Sequence, residues 1–261
     1  MRWPLLFLVL PAMPGHDLYL RPATFTPAPA ERIRVEYHNG DAFPQSQTTV
    51  VLARLRDAQR RSASGIQPLE NVRNEPKMTV ADTVAPERGH FYLVSRTAPN
   101  FIELKAADFE KYLLHEGLLP VIEFRARQKE GEKPGREIYS KHVKSLLVAG
   151  QGDGWFSQPL DMEIEFVPLD DPYATPAPSS VRVQLLFRGK PAAGHEIELQ
   201  VAASGVTKTI SLGHTNAQGM VTVPVSAGGL HKLHAIVMQR RADRREADWE
   251  SFWATLTFGT R

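Results

Sequence analysis

From Val181 to Phe258 the chain is cut into short runs in which apolar residues recur at every second position. Val181, Val183 and Leu185 alternate with polar neighbours, and Ile197, Leu199 and Val201 do the same. A period of two sets alternate side chains on opposite faces of a strand, whereas a helix repeats every 3.6 residues. The runs predict strands over Val181–Phe187, Glu196–Val201, Thr207–Leu212, Met220–Val225, Leu230–Met238 and Phe252–Phe258. Turn chemistry separates most of them, at Gly189-Lys190-Pro191, Ser204-Gly205, Asn216-Ala217-Gln218-Gly219 and Gly228-Gly229. Short strands at this spacing predict a small β-sandwich over residues 178–261. The charged run Arg240–Glu246 reads as a solvated hairpin tip.

The preceding part is also β-rich, with less regular spacing. Ile33, Val35 and Tyr37 alternate with charged residues and lead into a turn at His38-Asn39-Gly40-Asp41. Thr48–Leu55, His90–Val94, Phe101–Leu104, Tyr139–Val148 and Asp161–Val167 are further predicted strands, and the polar stretch Arg56–Lys77 reads as a loop. Phe109, Tyr112, Leu113 and Glu116 fall at helical spacing, with Gly117 placed to end a helix over Ala106–Glu116. A second short helix is expected over Leu118–Arg127, with Pro120 in its first turn. The proline-rich stretch at 168–178 predicts a boundary between residues 16–172 and residues 178–261. The fold class is therefore mainly β: two sandwich-like domains, the first with one or two short helices.

The first fifteen residues have the parts of a secretory signal: Arg2, an apolar run from Trp3 to Leu10, and small residues ending at Gly15. That run is shorter than the ~20 residues a membrane-spanning helix needs, and nothing later in the chain approaches that length. The sequence contains no cysteine, which excludes disulfides, thiolate metal sites and cysteine nucleophiles. Export without cysteine fits a bacterial periplasm. Lys and Arg total 31 against 29 Asp and Glu, so the large basic excess of a nucleic-acid binder is missing. No phosphate-binding loop, nucleophile elbow or complete zincin motif is present; His115-Glu116 and His195-Glu196 each lack the second histidine. No enzyme activity is expected.

The histidines are the remaining chemistry. On one strand, His231 and His234 point to opposite faces and do not chelate together. His195 shares a face with Ile197, Leu199 and Val201 and reads as a core residue; His115, His142 and His214 read as surface residues. Cleavage after Gly15 makes His16 the mature N-terminus. Its α-amine and imidazole then close a chelate ring on a divalent metal, and one further imidazole completes a three-nitrogen site suited to copper, nickel or cobalt. His38, pointing away from the Ile33/Val35/Tyr37 face, and His90, at a strand start, are the candidate partners.

The opening His16-Asp17-Leu18-Tyr19-Leu20-Arg21-Pro22 resembles the start of a bacterial periplasmic family, the domain-of-unknown-function 4198 family. Phe109–Leu118, Arg136–Leu146, Val167–Pro172, Gly189–Gly194 and Ala247–Phe258 are similar to further segments of it. Members are often labelled as periplasmic components of nickel or cobalt uptake. The resemblance implies an exported protein, an immunoglobulin- or transthyretin-like C-terminal sandwich, and an inner-membrane metal transporter as partner. Where members commonly carry His-Met before the last motif, this chain has Val237-Met238. His115 also replaces a usual carboxylate, and His142 a usual tyrosine.

Two functional readings follow. One is a periplasmic accessory protein binding nickel, cobalt or copper through His16, with His38 or His90. The other is a metal-free β-sandwich module that binds a protein or glycan at the envelope, with Trp155, Trp249 and Trp253 as candidate platform residues.

Overall fold

The computed structural model describes residues 16–260. The expected signal peptide, residues 1–15, lies outside the described residues. The strands of the first half are β1 (Leu18–Pro22), β2 (Arg32–Asn39), β3 (Leu55–Ser62), β4 (Gly65–Pro68), β5 (Glu70–Glu75), β6 (Met78–Val84), β7 (Gly89–Thr97) and β8 (Asn100–Leu104). Helices α1 (Ala106–His115) and α2 (Leu119–Arg127) follow. The chain continues through β9 (Gly135–Ala149), β10 (Ile164–Pro168), β11 (Ser180–Phe187), β12 (Lys190–Pro191), β13 (Glu196–Ala203) and β14 (Val206–His214). It ends with β15 (Met220–Pro224), β16 (Leu230–Arg240) and β17 (Trp249–Gly259).

These elements form three layers. The middle layer is a nine-stranded sheet in the order β14-β13-β16-β17-β9-β7-β3-β4, with β8 also on β9. One face is covered by the sheet of β10, β11, β12 and β15, enclosing Tyr92, Leu146, Phe166, Leu199 and Leu256. The other face is covered by β1-β2-β6-β5 at one end, around Leu20, Tyr37, Leu93 and Leu147, and by the two helices at the other. There Phe109, Tyr112 and Leu113 of α1 pack on Ile236, Trp249 and Trp253. Gly117, at φ +67°, turns the chain out of α1, a conformation that favours glycine.

Double coverage explains a weak point of the sequence pattern. A strand buried on both faces has no reason to alternate. Every residue of β9 from Ser140 to Ala149 is buried, including Lys144, whose Nζ meets Glu165 at 2.7 Å. A parallel pairing, β17 beside β9, ties the C-terminal strand to the part of the chain ahead of the proline-rich stretch.

Several local expectations are corrected. Arg56–Lys77 is mostly strand: β4 and β5 are sheet edges and β3 lies between β4 and β7, and ladder hydrogen bonds there compensate for few apolar contacts. Thr48–Leu55 makes a single bridge, Thr48 to Asn39, and then a 3-10 turn over Leu52–Arg54. The proline-rich stretch at 168–178 does not interrupt the architecture, because strands from both sides of it share the central sheet. The C-terminal strands do pack as a sandwich, but half of that sandwich is continuous with β9 and β7.

Candidate functional site

The opening His16-Asp17 pair lies against the middle of the central sheet. The Thr255 and Thr257 hydroxyls of β17 donate to the carbonyls of Leu18 and Leu20, at 2.8 and 2.6 Å, and so hold β1 on the sheet. This places Asp17 over β16. Its carboxylate pairs with the Lys232 ammonium and lies 2.9 Å from His234 Nδ1. The other ring nitrogen of His234 is 3.2 Å from Glu116, at the end of α1. These are ion-pair approaches, since neither ring nitrogen makes an aligned hydrogen bond. Lys232 is 1% exposed and His234 7%, so the cluster is a buried charge network rather than a set of surface pairs.

Burial works against the charge on Asp17, but His234 and Lys232 overcome it and hold its pKa well below the usual carboxylate range. For His234 burial again opposes charge, yet Asp17 and Glu116 push its pKa up to about 10. Lys141, also on this face, is lowered by burial to about 8, with Asp17 opposing the shift. Its ammonium donates to the carbonyl of His16.

His16 is therefore held from both ends of its backbone neighbourhood: through its own carbonyl by Lys141, and through Asp17 by the buried network. Its imidazole stays accessible, 30% exposed, beside a cavity of about 270 Å³ that it shares with Arg54, Tyr139 and Lys141. Nδ1 lies 3.0 Å from Asp41 Oδ2. The sequence did not mark Asp41 as a partner; it arrives through the β1–β2 hairpin, in which Gly40 donates to the Asp17 carbonyl.

The other predicted ligands stand elsewhere. His38 is buried, not on a shallow surface, and both its nitrogens are occupied: Nδ1 lies 3.1 Å from the Tyr19 hydroxyl and Nε2 2.8 Å from Glu36. His90 is 1% exposed, flanked by Asp153 at 3.2 Å and Asp171 at 3.1 Å, and lines a separate cavity. Among the described residues, no group of three His, Asp or Glu side chains could hold a metal ion. A side-chain metal centre built from His16, His38 and His90 is thus not assembled.

Of the remaining histidines, His115 and His214 are exposed, as expected. His231 stacks on Phe258 with centroids 4.7 Å apart and accepts from the Ser226 N–H. His142, expected at the surface, is buried, and burial lowers its pKa to about 4. His195 is half-buried ahead of β13 rather than within it. Trp249 and Trp253 are core residues, each 3% exposed, and Trp155 is half-buried against Tyr92.

The sequence profile described as "Domain of unknown function (DUF4198)" matches residues 13–239, most of the chain. The chain belongs to the DUF4198 family. Within this DUF4198 protein, the matched region includes the His16-Asp17 opening, the two helices and β16 through Gln239. No curated protein matches the sequence.

Solved structures aligned with this DUF4198 chain are distant. The D0-D1 domain of intimin shares 12% identity, covering 94% of this chain and 98% of that one, at a TM-score of 0.20. The Yersinia pseudotuberculosis adhesin InvE shares 13%, covering 93% and 58%, at 0.23. A DUF4785 family protein of Legionella pneumophila shares 8%, covering 83% and 50%, at 0.26. Overlaps at these TM-scores carry no argument, and the β architecture stands on its own strand pairing.

Proposed function

We propose that this chain is a non-enzymatic binding protein of the bacterial periplasm that presents a transition-metal site at its mature N-terminus. Export and cleavage after Gly15 free the His16 α-amine. The donors are then that amine, the Nδ1 of the same residue and the Asp41 carboxylate.

The observation that supports this reading is the 3.0 Å approach of Asp41 to His16 Nδ1. Two donors each about 2.1 Å from one ion, at right angles, lie about 3.0 Å apart. A divalent ion can thus replace the proton between this pair without moving either group far. Chain termini are usually frayed, and a frayed terminus does not pre-organise ligands. Here the Lys141 bond and the buried Asp17 hold the donor residue in place. Two nitrogens and one oxygen suit nickel, cobalt or copper better than magnesium or calcium. The set differs from the three-nitrogen site expected from sequence, because a carboxylate stands where a second imidazole was sought. Nickel or cobalt as cargo for an inner-membrane transporter is the form the family label favours.

The exported protein should give an intact mass that begins at His16. Calorimetric titration of that mature chain with nickel, cobalt and copper should show one site. His16→Ala, and a chain with one extra glycine ahead of His16, should each weaken binding by at least about tenfold, some 1.4 kcal/mol. A mature chain that begins elsewhere, or a His16→Ala protein that binds as tightly as wild type, overturns the reading.

A further inference from the structure

We infer that a second cavity, at the end of the molecule where the loops of all three layers meet, binds a small organic molecule bearing a primary ammonium group. The cavity has a volume of about 640 Å³, within the ~300–1,000 Å³ typical of small-molecule sites. It is formed by the start of β7, the loop at 150–156 and the proline-rich stretch at 171–177. That stretch was expected to link two domains; instead it forms a wall of this cavity.

The charge of the lining sets the sign of the ligand. Asp171 lines the cavity with His90, and Asp153 stands behind His90; among the described residues no lysine or arginine lines it. An anion would meet carboxylate without a compensating cation. A cation meets Asp171, whose side chain is 24% exposed, and the rings of Phe156 and Tyr173 in the same lining. Carboxylate and aromatic ring faces together recognise an ammonium group, the ring quadrupole adding to the charge attraction.

The floor is built rather than incidental. His90 lies edge-on to Phe156 at 5.1 Å and 6.3 Å from Tyr173. A Cβ on Gly152 would overlap the His90 ring, and one on Gly89 would overlap the Asp153 carboxylate, so both glycines allow this close packing. Asp153 accepts from the His90 backbone N–H at 3.0 Å, and Asp171 accepts from the Tyr173 N–H at 2.8 Å. His90 is 99% buried, yet its Nε2, the nitrogen on the Asp171 side, makes no aligned hydrogen bond. A buried polar atom without an aligned partner costs free energy unless another group satisfies it. Val148 and Pro172 supply apolar wall for an aliphatic body.

The site shares no lining residue with the cavity at His16, so it stands apart from the metal reading. The test is calorimetric titration of the mature protein with putrescine and spermidine, with glucose and succinate as neutral and anionic controls. Either amine should bind, and neither control should bind comparably. Asp171→Asn should weaken amine binding by about tenfold or more, and Phe156→Leu, which keeps an apolar side chain and removes the ring, by several-fold. Thermal melting of each variant shows whether the fold is kept; if Asp171→Asn does not fold, Phe156→Leu decides. His16→Ala should bind amines like wild type, which separates failure here from failure of the N-terminal site. No amine binding by folded wild type, equal binding of a control, or unchanged binding in the folded variants overturns the inference.

Discussion

Replacing Asp17 with alanine is expected to destabilise the protein by about 3–5 kcal/mol, the range for breaking a buried ion pair by removing one partner. The reason is what remains behind. Lys232 is 1% exposed and His234 7%, and Asp17 is the carboxylate in direct contact with both, with Glu116 beside His234 and the half-buried Glu198 of β13 acting on both from further away. Without Asp17, Lys232 keeps its ammonium over the rings of Tyr19 and Phe43, at 5.3 and 5.6 Å, which softens but does not replace the lost pair. Urea denaturation of the mature protein at neutral pH reads the effect. A loss below about 1 kcal/mol, the scale of an exposed pair, would mean that water reaches this cluster. Removing Lys232 as well, as Asp17→Ala with Lys232→Met, should cost less than the two single losses combined, because Lys232 no longer leaves an unpaired buried charge and His234 keeps Glu116. The Asp17→Ala protein that remains folded should also lose the proposed N-terminal metal binding, since His16 is positioned through its neighbour.

This network shows how much of the site the sequence carries. The strand periodicity of β16 is plain: Leu233, Ala235 and Val237 face one core. The same alternation makes Lys232 and His234 look like a solvent face, because a half-buried strand ordinarily has one. Here β1 and the helices cover that face, a coverage that depends on β1 meeting β17 across 237 residues of sequence. His38 was misplaced for the same reason. Its own strand shows which side is opposite Ile33 and Val35, but not that Tyr19 and Glu36 close over it. The strands β3 to β5 failed as a pattern because Arg, Gln and Glu carry no hydrophobic period, and ladder hydrogen bonds leave no mark on composition. The helices were legible, since Phe109, Tyr112 and Leu113 recur at helical spacing and Gly117 ends the run. His16 was singled out through the expectation of export and the family's opening motif. Asp41 was not: its place beside His16 is set by the pairing of Leu18 with Asn39.

Glu137 provides the second large effect, with the opposite sign. It lies on β9 beneath α1, 1% exposed, and accepts hydrogen bonds from the Ser251 hydroxyl and, at 3.2 Å, from the Tyr112 hydroxyl. Burial pushes its pKa up to about 7, with the two hydroxyls opposing the shift only in part. In the unfolded chain a glutamate ionises near pH ~4.3. Between those values the unfolded state gives up the proton while the folded state keeps it, so rising pH favours unfolding. Over the whole window this amounts to about 4 kcal/mol, and the penalty is fully developed above pH 7. Glutamine cannot ionise, fills nearly the same volume and keeps an oxygen for both hydroxyls. Glu137→Gln should therefore match wild type near pH 4 and exceed it by about 3–4 kcal/mol at pH 8. Urea denaturation at several pH values, taken as the difference between the two proteins, removes the titration of every other group common to both. A gain that is flat from pH 4 to pH 8 would assign the effect to packing rather than to the buried carboxyl. No gain at pH 8 would mean that Tyr112 and Ser251, with Trp253 Nε1 donating to Ser251 at 3.0 Å, already stabilise the carboxylate in full.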